Sequence, residues 1–188
     1  MSSTENDLAH RRALAWAAFK KLDKIWLAKH VSVKLKVNIL RASVFSVLLY
    51  GSETWILTKD LETQLNSFGL HCHRRILGIS LLDHIRNEEI YAQVGQLPLS
   101  ETAQYRQLSW VGHALRREES LPSRIFALYT PMHGHAKKGR AKMSYLAYVA
   151  KLLIRRGMPE RLTYTEIVEL AQDRKRWDSI LKLSPSTE

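Results

Sequence analysis

Two short clusters, His71-Cys72-His73 and His133-Gly134-His135, carry nitrogen and sulfur donors of the kind that hold zinc. Their spacing does not suit one shared ion. Adjacent helical residues diverge by about 100°, so three consecutive side chains cannot converge on a metal, and paired zinc ligands usually leave a wider gap. The simpler account is helix-face histidines around a buried free thiol, since Cys72 lies between Leu70 and Ile76 in an apolar helical stretch. A nucleophilic Cys72 or a helical metalloenzyme stands as the alternative. Polymerase or nuclease chemistry needs carboxylates close enough to clamp two divalent ions on one phosphate. The aspartates, Asp7, Asp23, Asp60, Asp83, Asp173 and Asp178, are all isolated, and the pairs Glu88–Glu89 and Glu118–Glu119 start or end helices. The sequence has no phosphate-cradling glycine loop and no G-x-S-x-G elbow. No catalytic residue, metal or cofactor is expected.

What remains is cationic. The chain has 29 Lys and Arg against 18 Asp and Glu, a formal charge of +11, and the surplus lies in blocks. Between Asp23 and Glu53 there is no carboxylate, while Lys24, Lys29, Lys34, Lys36 and Arg41 fall there; between Glu119 and Glu160 there is again none. In the second block "KKGRAK" places Lys137, Lys138, Arg140 and Lys142 around a glycine that lets backbone approach a phosphate. Acid-free basic blocks attract polyanions, nucleic acid first, through counter-ion release. Each such residue can also be no more than part of a solvated helix face.

These cations need a scaffold, and 188 residues can bury a core of their own. One cysteine excludes an internal disulfide, no apolar run approaches the roughly 18 residues of a membrane span, and "MSSTENDLAHRR" lacks the apolar centre of a secretory signal. A nuclear or cytoplasmic location, not secretion, is expected, with no membrane partner. The periodicity is helical throughout. Leu8, Ala15, Phe19, Leu22 and Trp26 share one face of a helix with a basic outer side. Ser32 caps a second with the stripe Val33, Val37, Leu40, Val44, Val47 and Leu48, and Gly51 ends it. Thr58 caps a third, Lys59 to about Leu77, stopped by Gly78. Asn87 caps a short one; Ser100 opens another with Tyr105, Leu108, Val111 and Leu115 as its apolar side. After a weakly patterned stretch, helix returns in "MSYLAYVAKLLIRRG", and Thr163 with Glu166 forms a capping box for a continuous helix through "YTEIVELAQDRKRWDSILKL". The expected class is all-α, a bundle with appended C-terminal helices.

The runs "RRALAWAAFKKLDKIW", "VLLYGSETWILTKDLETQLNSF", "CHRRILGI", "IRNEEIYAQVGQLPL", "RQLSWVGHALRR" and "LAQDRKRW" occur in that order. Together they resemble the carboxy-terminal part of a non-LTR retrotransposon (LINE-type) endonuclease-reverse transcriptase, over almost the whole chain. The resemblance implies the thumb and the region after it, a helical bundle that tracks template-primer duplex. The catalytic palm, the fingers and the endonuclease would lie upstream, so the chain is not expected to be an enzyme. Where relatives have a basic Gly-Arg-Pro stretch, this sequence has Ala141 for the proline. The cysteine-histidine knuckle that some relatives carry is absent. Met1 stands just before the matching region, which fits a truncated element copy, a gene fragment or a host protein equally well.

The expected organisation is a thumb-like bundle over 1–116, a basic flexible connector over 117–142, C-terminal helices over 143–183 and a disordered tail over 184–188. Lys20, Lys24, Lys34 and Arg41 would hold phosphates from the bundle, and Arg116, Arg117, Lys137, Lys138, Arg140 and Lys142 would form a second zone. Expected partners are RNA or DNA, with weak sequence preference because phosphate contacts read no bases, and the palm and fingers of a reverse transcriptase. The oligomeric state is left open. The alternative is a protein-binding or self-associating helical module that exposes the former palm-facing surface, with Trp16, Tyr50 and Trp55 as its candidate patch.

Overall fold

A computed structural model of the chain describes residues 3–127, 129 and 143–182, and every regular element among them is helical, as the periodicity requires. The chain divides into two compact units, Met1–Ala103 and Gln104–Glu188. Of the stretch expected as a connector, 128 and 130–142 lie outside the described residues, as does 183–188, which includes the expected tail.

In the first unit α1 spans Ser3–Lys21 and α2 Asp23–Leu27. The sequence suggested one helix through Trp26, but the chain breaks at Leu22. The Phe19 carbonyl, which a continuous helix would offer to the Asp23 amide, accepts instead from the Leu22 amide (3.2 Å) and the Trp26 indole Nε1 (2.9 Å). The break turns Trp26 onto Phe19, with the two rings stacked at 5.3 Å. Helix α3, Val33–Leu40, starts at Ser32, whose hydroxyl accepts from the Leu35 amide. It passes into a π turn at Arg41–Phe45 and a last short piece, α4, Ser46–Leu48. Ser43 and Ser46 donate back to the carbonyls of Ile39 and Ala42 (both 2.6 Å), an insertion of the kind that widens a helix locally. Helix α1 packs on this π turn, on α4 and on α5.

Gly51 has φ +74°, a left-handed conformation that a side chain would strain, and it turns the chain into a 3-10 turn at Ser52–Thr54. Trp55 is then buried, and its Nε1 donates to Asp7 Oδ2 of α1 at 2.8 Å. The segment "LLYGSETW" is thus an internal clamp on the first helix.

Helix α5 spans Lys59–Leu77 between the Thr58 cap and left-handed Gly78, as the sequence indicates, and buries Leu61, Leu65, Phe68 and Ile76. A 3-10 turn at Leu81–Asp83 follows, then α6, Asn87–Val94. Asn87 is the first helical residue of α6 and not its cap; its Oδ1 accepts from Arg74 of α5 at 2.8 Å. Helix α7, Leu99–Leu115, runs through the division between the units. Its second residue, Ser100, is itself capped, its amide donating to Asn66 Oδ1 of α5 at 2.9 Å. Tyr105 points out and does not join the apolar side of α7.

The second unit continues with α8, Pro122–Ala127, α9, Tyr145–Ile154, α10, Tyr164–Gln172, and α11, Arg174–Lys182. The Thr163–Glu166 capping box is present. The expected continuous last helix breaks at Asp173, whose Oδ1 caps α11 by accepting from the Arg176 amide at 3.0 Å. That break seats Trp177 against α7: its indole donates to the Leu108 carbonyl at 3.0 Å, and a Cβ on Gly112 would collide with the ring, whose Cε2 would be 2.7 Å away.

Candidate nucleic-acid interface

The cations expected to meet phosphate begin where α1 ends. Lys20, in the last turn of α1, Lys24 in α2, Lys34 in the first turn of α3 and Arg41 in the π turn are all exposed. Lys36, from the same acid-free block, is not. It falls three residues after Val33 and four before Leu40, on the apolar stripe, and is buried with Nζ donating to the Trp26 carbonyl at 2.7 Å. Its position on the stripe was the sequence signal.

In the second unit Arg117 is exposed, whereas half-buried Arg116 has Nη1 on the Ala171 carbonyl at 3.0 Å, near the end of α10. Lys137, Lys138, Arg140 and Lys142 lie outside the described residues, and so do His133 and His135.

The first unit also contains a cavity of about 570 Å³. Trp16, Phe19 and Lys20 of α1 line one side with Asp23 of α2; His71, Arg74 and Arg75 of α5 line another. Ile79 and Leu81 close the rim, Leu81 being 75% exposed. Sequence reasoning did not find this site, because its two sides are about fifty residues apart in the chain. Arg74 and Arg75 occupy the last turn of α5, where the helix dipole favours cations. Arg75 grips Asp23 with both arms, Nε to Oδ1 at 3.1 Å and Nη2 to Oδ2 at 2.9 Å. The hydrogen bond and the attraction of that carboxylate raise the Arg75 pKa above its ordinary range. The lining therefore holds three cations and one carboxylate, and the carboxylate is engaged.

The His71-Cys72-His73 cluster splits as its helical spacing demands. His71 faces the cavity with its ring edge-to-face with Trp16 at 4.8 Å, while Cys72 and His73 are buried. Burial pushes the Cys72 thiol pKa up, which disfavours the nucleophilic thiolate. Burial lowers the His73 pKa to about 4, and its ring packs edge-on to Phe45 and Tyr91 at 5.7 and 6.2 Å. No group of three or more metal-ligating side chains occurs among the described residues. Of the residues suggested for an exposed aromatic patch, Trp55 is buried and Trp16 is partly covered; Tyr50 is exposed under the Arg11 guanidinium, 4.5 Å from the ring centre. No described helix is long and apolar enough to cross a membrane.

No family model matches the chain, and no solved structure matches it. An uncharacterized transposon-derived protein of Caenorhabditis elegans is 27% identical over 182 residues, covering 94% of this chain. The similarity links the chain to transposon-derived sequence. The chain spans 64% of that relative's length.

Proposed function

We propose that the chain is a nucleic-acid-binding helical module of a retrotransposon reverse transcriptase, corresponding to the thumb and the region after it, and without catalysis of its own. It grips the sugar-phosphate backbone of template-primer duplex or RNA through the basic helix faces of the first unit. The exposure of Lys24, Lys34 and Arg41 in a stretch without carboxylates, with exposed Lys20 just before it, is the observation that carries this reading. The similarity to a transposon-derived protein and the run of motifs from "RRALAWAAFKKLDKIW" to "LAQDRKRW" support the retrotransposon assignment. Lys36 and Arg116 play structural parts, because both donate to main-chain carbonyls.

Fluorescence anisotropy against labelled duplex and single strand over a salt series tests the function. Four phosphate contacts predict that affinity drops by about a hundredfold between 50 and 200 mM salt, with little difference among base sequences. Affinity that stays level across that range, or that depends strongly on sequence, rejects backbone binding.

A further inference from the structure

The cavity in the first unit combines features that backbone binding alone does not require. A phosphate needs only exposed cations, yet here Trp16, His71, Ile79 and Leu81 supply flat and apolar walls beside them. An apolar peptide would need the walls but not Lys20 and Arg74. The volume, about 570 Å³, lies inside the range of roughly 300–1,000 Å³ typical of sites for small organic groups.

We propose that this cavity takes one unpaired nucleotide of a bound strand: the base enters between the aromatic and aliphatic walls, and Lys20 and Arg74 hold its phosphate. The proposal rests on the backbone-binding function and names a site within it. The charges suit that occupant. Asp23 is the one carboxylate in the lining, and Arg75 binds it through two nitrogens, so it does not face an incoming phosphate unpaired. Arg74 uses Nη2 for Asn87, and a guanidinium carries five N–H donors, so the others stay available. Lys20 has no hydrogen bond or ion pair with any described residue. The polar groups thus converge from α1 and α5 on an otherwise apolar slot, the pattern by which aromatic side chains and cations together hold single strands. The contact would register the presence of a base and not its identity, because nothing in the lining is arranged to read a particular base edge.

Two labelled single strands of equal length and charge test this, one bearing thymine bases and one abasic throughout. The base-bearing strand is expected to bind about tenfold more tightly, the scale of one base stacked on an aromatic wall. Leu81→Ser strips the apolar wall at the exposed rim, where folding is not at stake, without adding charge beside Lys20, and should lower that preference while blunt duplex binds much as before. Equal affinities for the two strands, both falling with salt, would overturn the cavity assignment and leave backbone binding intact. So would a preference that Leu81→Ser does not alter. Affinities for both strands that ignore salt would remove backbone binding itself, and this site with it.

Discussion

The two units use the same residue types for different work. In the first unit Lys20, Lys24, Lys34 and Arg41 project into solvent from helix surfaces. In the second, arginines bind the main chain: Arg116 on the Ala171 carbonyl, Arg124 on the carbonyls of Leu115 and Arg117 at 3.1 and 2.7 Å, and Arg156 on that of Leu152. A helix leaves its last four carbonyls without intrahelical partners, and a planar guanidinium can serve two acceptors at once. Short helices joined by tight turns, as in the second unit, present many such ends. The first unit has such ends as well, at α2 and α4 for example, but of the cations named there only Lys36 turns inward, closing the end of α2. A count of cations therefore overstates the binding capacity of the second unit, where Arg116, Arg124 and Arg156 are three of the nine described arginines and donate to main-chain carbonyls.

The sharpest way to break the second unit is to remove what its helices close upon. Trp177 is buried, donates to the Leu108 carbonyl and fills the space that Gly112 leaves open. Trp177→Ala is expected to cost about 3–5 kcal/mol, the range for emptying a large aromatic site. Urea unfolding followed by the helical circular dichroism signal measures it, and a loss under about 1 kcal/mol would show that the Trp177 contact is not central to the unit.

The first unit has its own internal weakness, at His73. Burial holds its folded pKa at about 4, against about 6.5 for an imidazole in an unfolded chain. Above pH 6.5 both states carry the neutral ring and the group adds no pH dependence. As pH falls from 6.5 to 4 the unfolded chain takes up a proton that the folded one refuses, so stability declines. The full loss, reached below pH 4, is about 3 kcal/mol on the scale of 1.36 kcal/mol per pKa unit. His73→Phe should flatten this limb of the stability–pH curve. An unchanged slope between pH 6.5 and 4 would place the acid sensitivity in other groups.

Local signals made much of this fold legible. Thr58 and Gly78 delimit α5, Thr163 with Glu166 starts α10, and the positive φ of Gly51 falls where an apolar run meets polar residues. The breaks at Leu22 and Asp173 were harder to see. At Leu22 the cause is an indole reaching back to a carbonyl seven residues away, and periodicity is blind to that. At Asp173 a capping residue was written in the sequence, but the apolar spacing continues through it as though the helix did. Asn66 caps Ser100 across 34 residues, and the cavity joins α1 to α5; such partnerships follow from packing, not from spacing. The proposed phosphate contacts were legible only as charge. Lys36 and Arg116 show why: a lysine on an apolar stripe and an arginine just past a helix end are the positions from which a cation turns inward.

That distinction has a direct test in a matched pair. Lys34→Ala removes an exposed charge with no structural partner among the described residues, so stability should stay within about 0.5 kcal/mol of the parent. The plot of log affinity against log salt should lose about 0.9 of its slope, the share of one phosphate contact on duplex. Arg116→Ala should do the reverse. Losing a charged donor from the Ala171 carbonyl costs about 2 kcal/mol, since that carbonyl is left short of a partner in the second unit, while the salt slope stays where it was. The two variants remove the same charge from the same net total, so a difference between them cannot come from the protein's overall field. Equal slopes for both variants, each lowered from the parent, would mean that Arg116 reaches phosphate as well as carbonyl, and that the second unit's arginines serve both purposes at once.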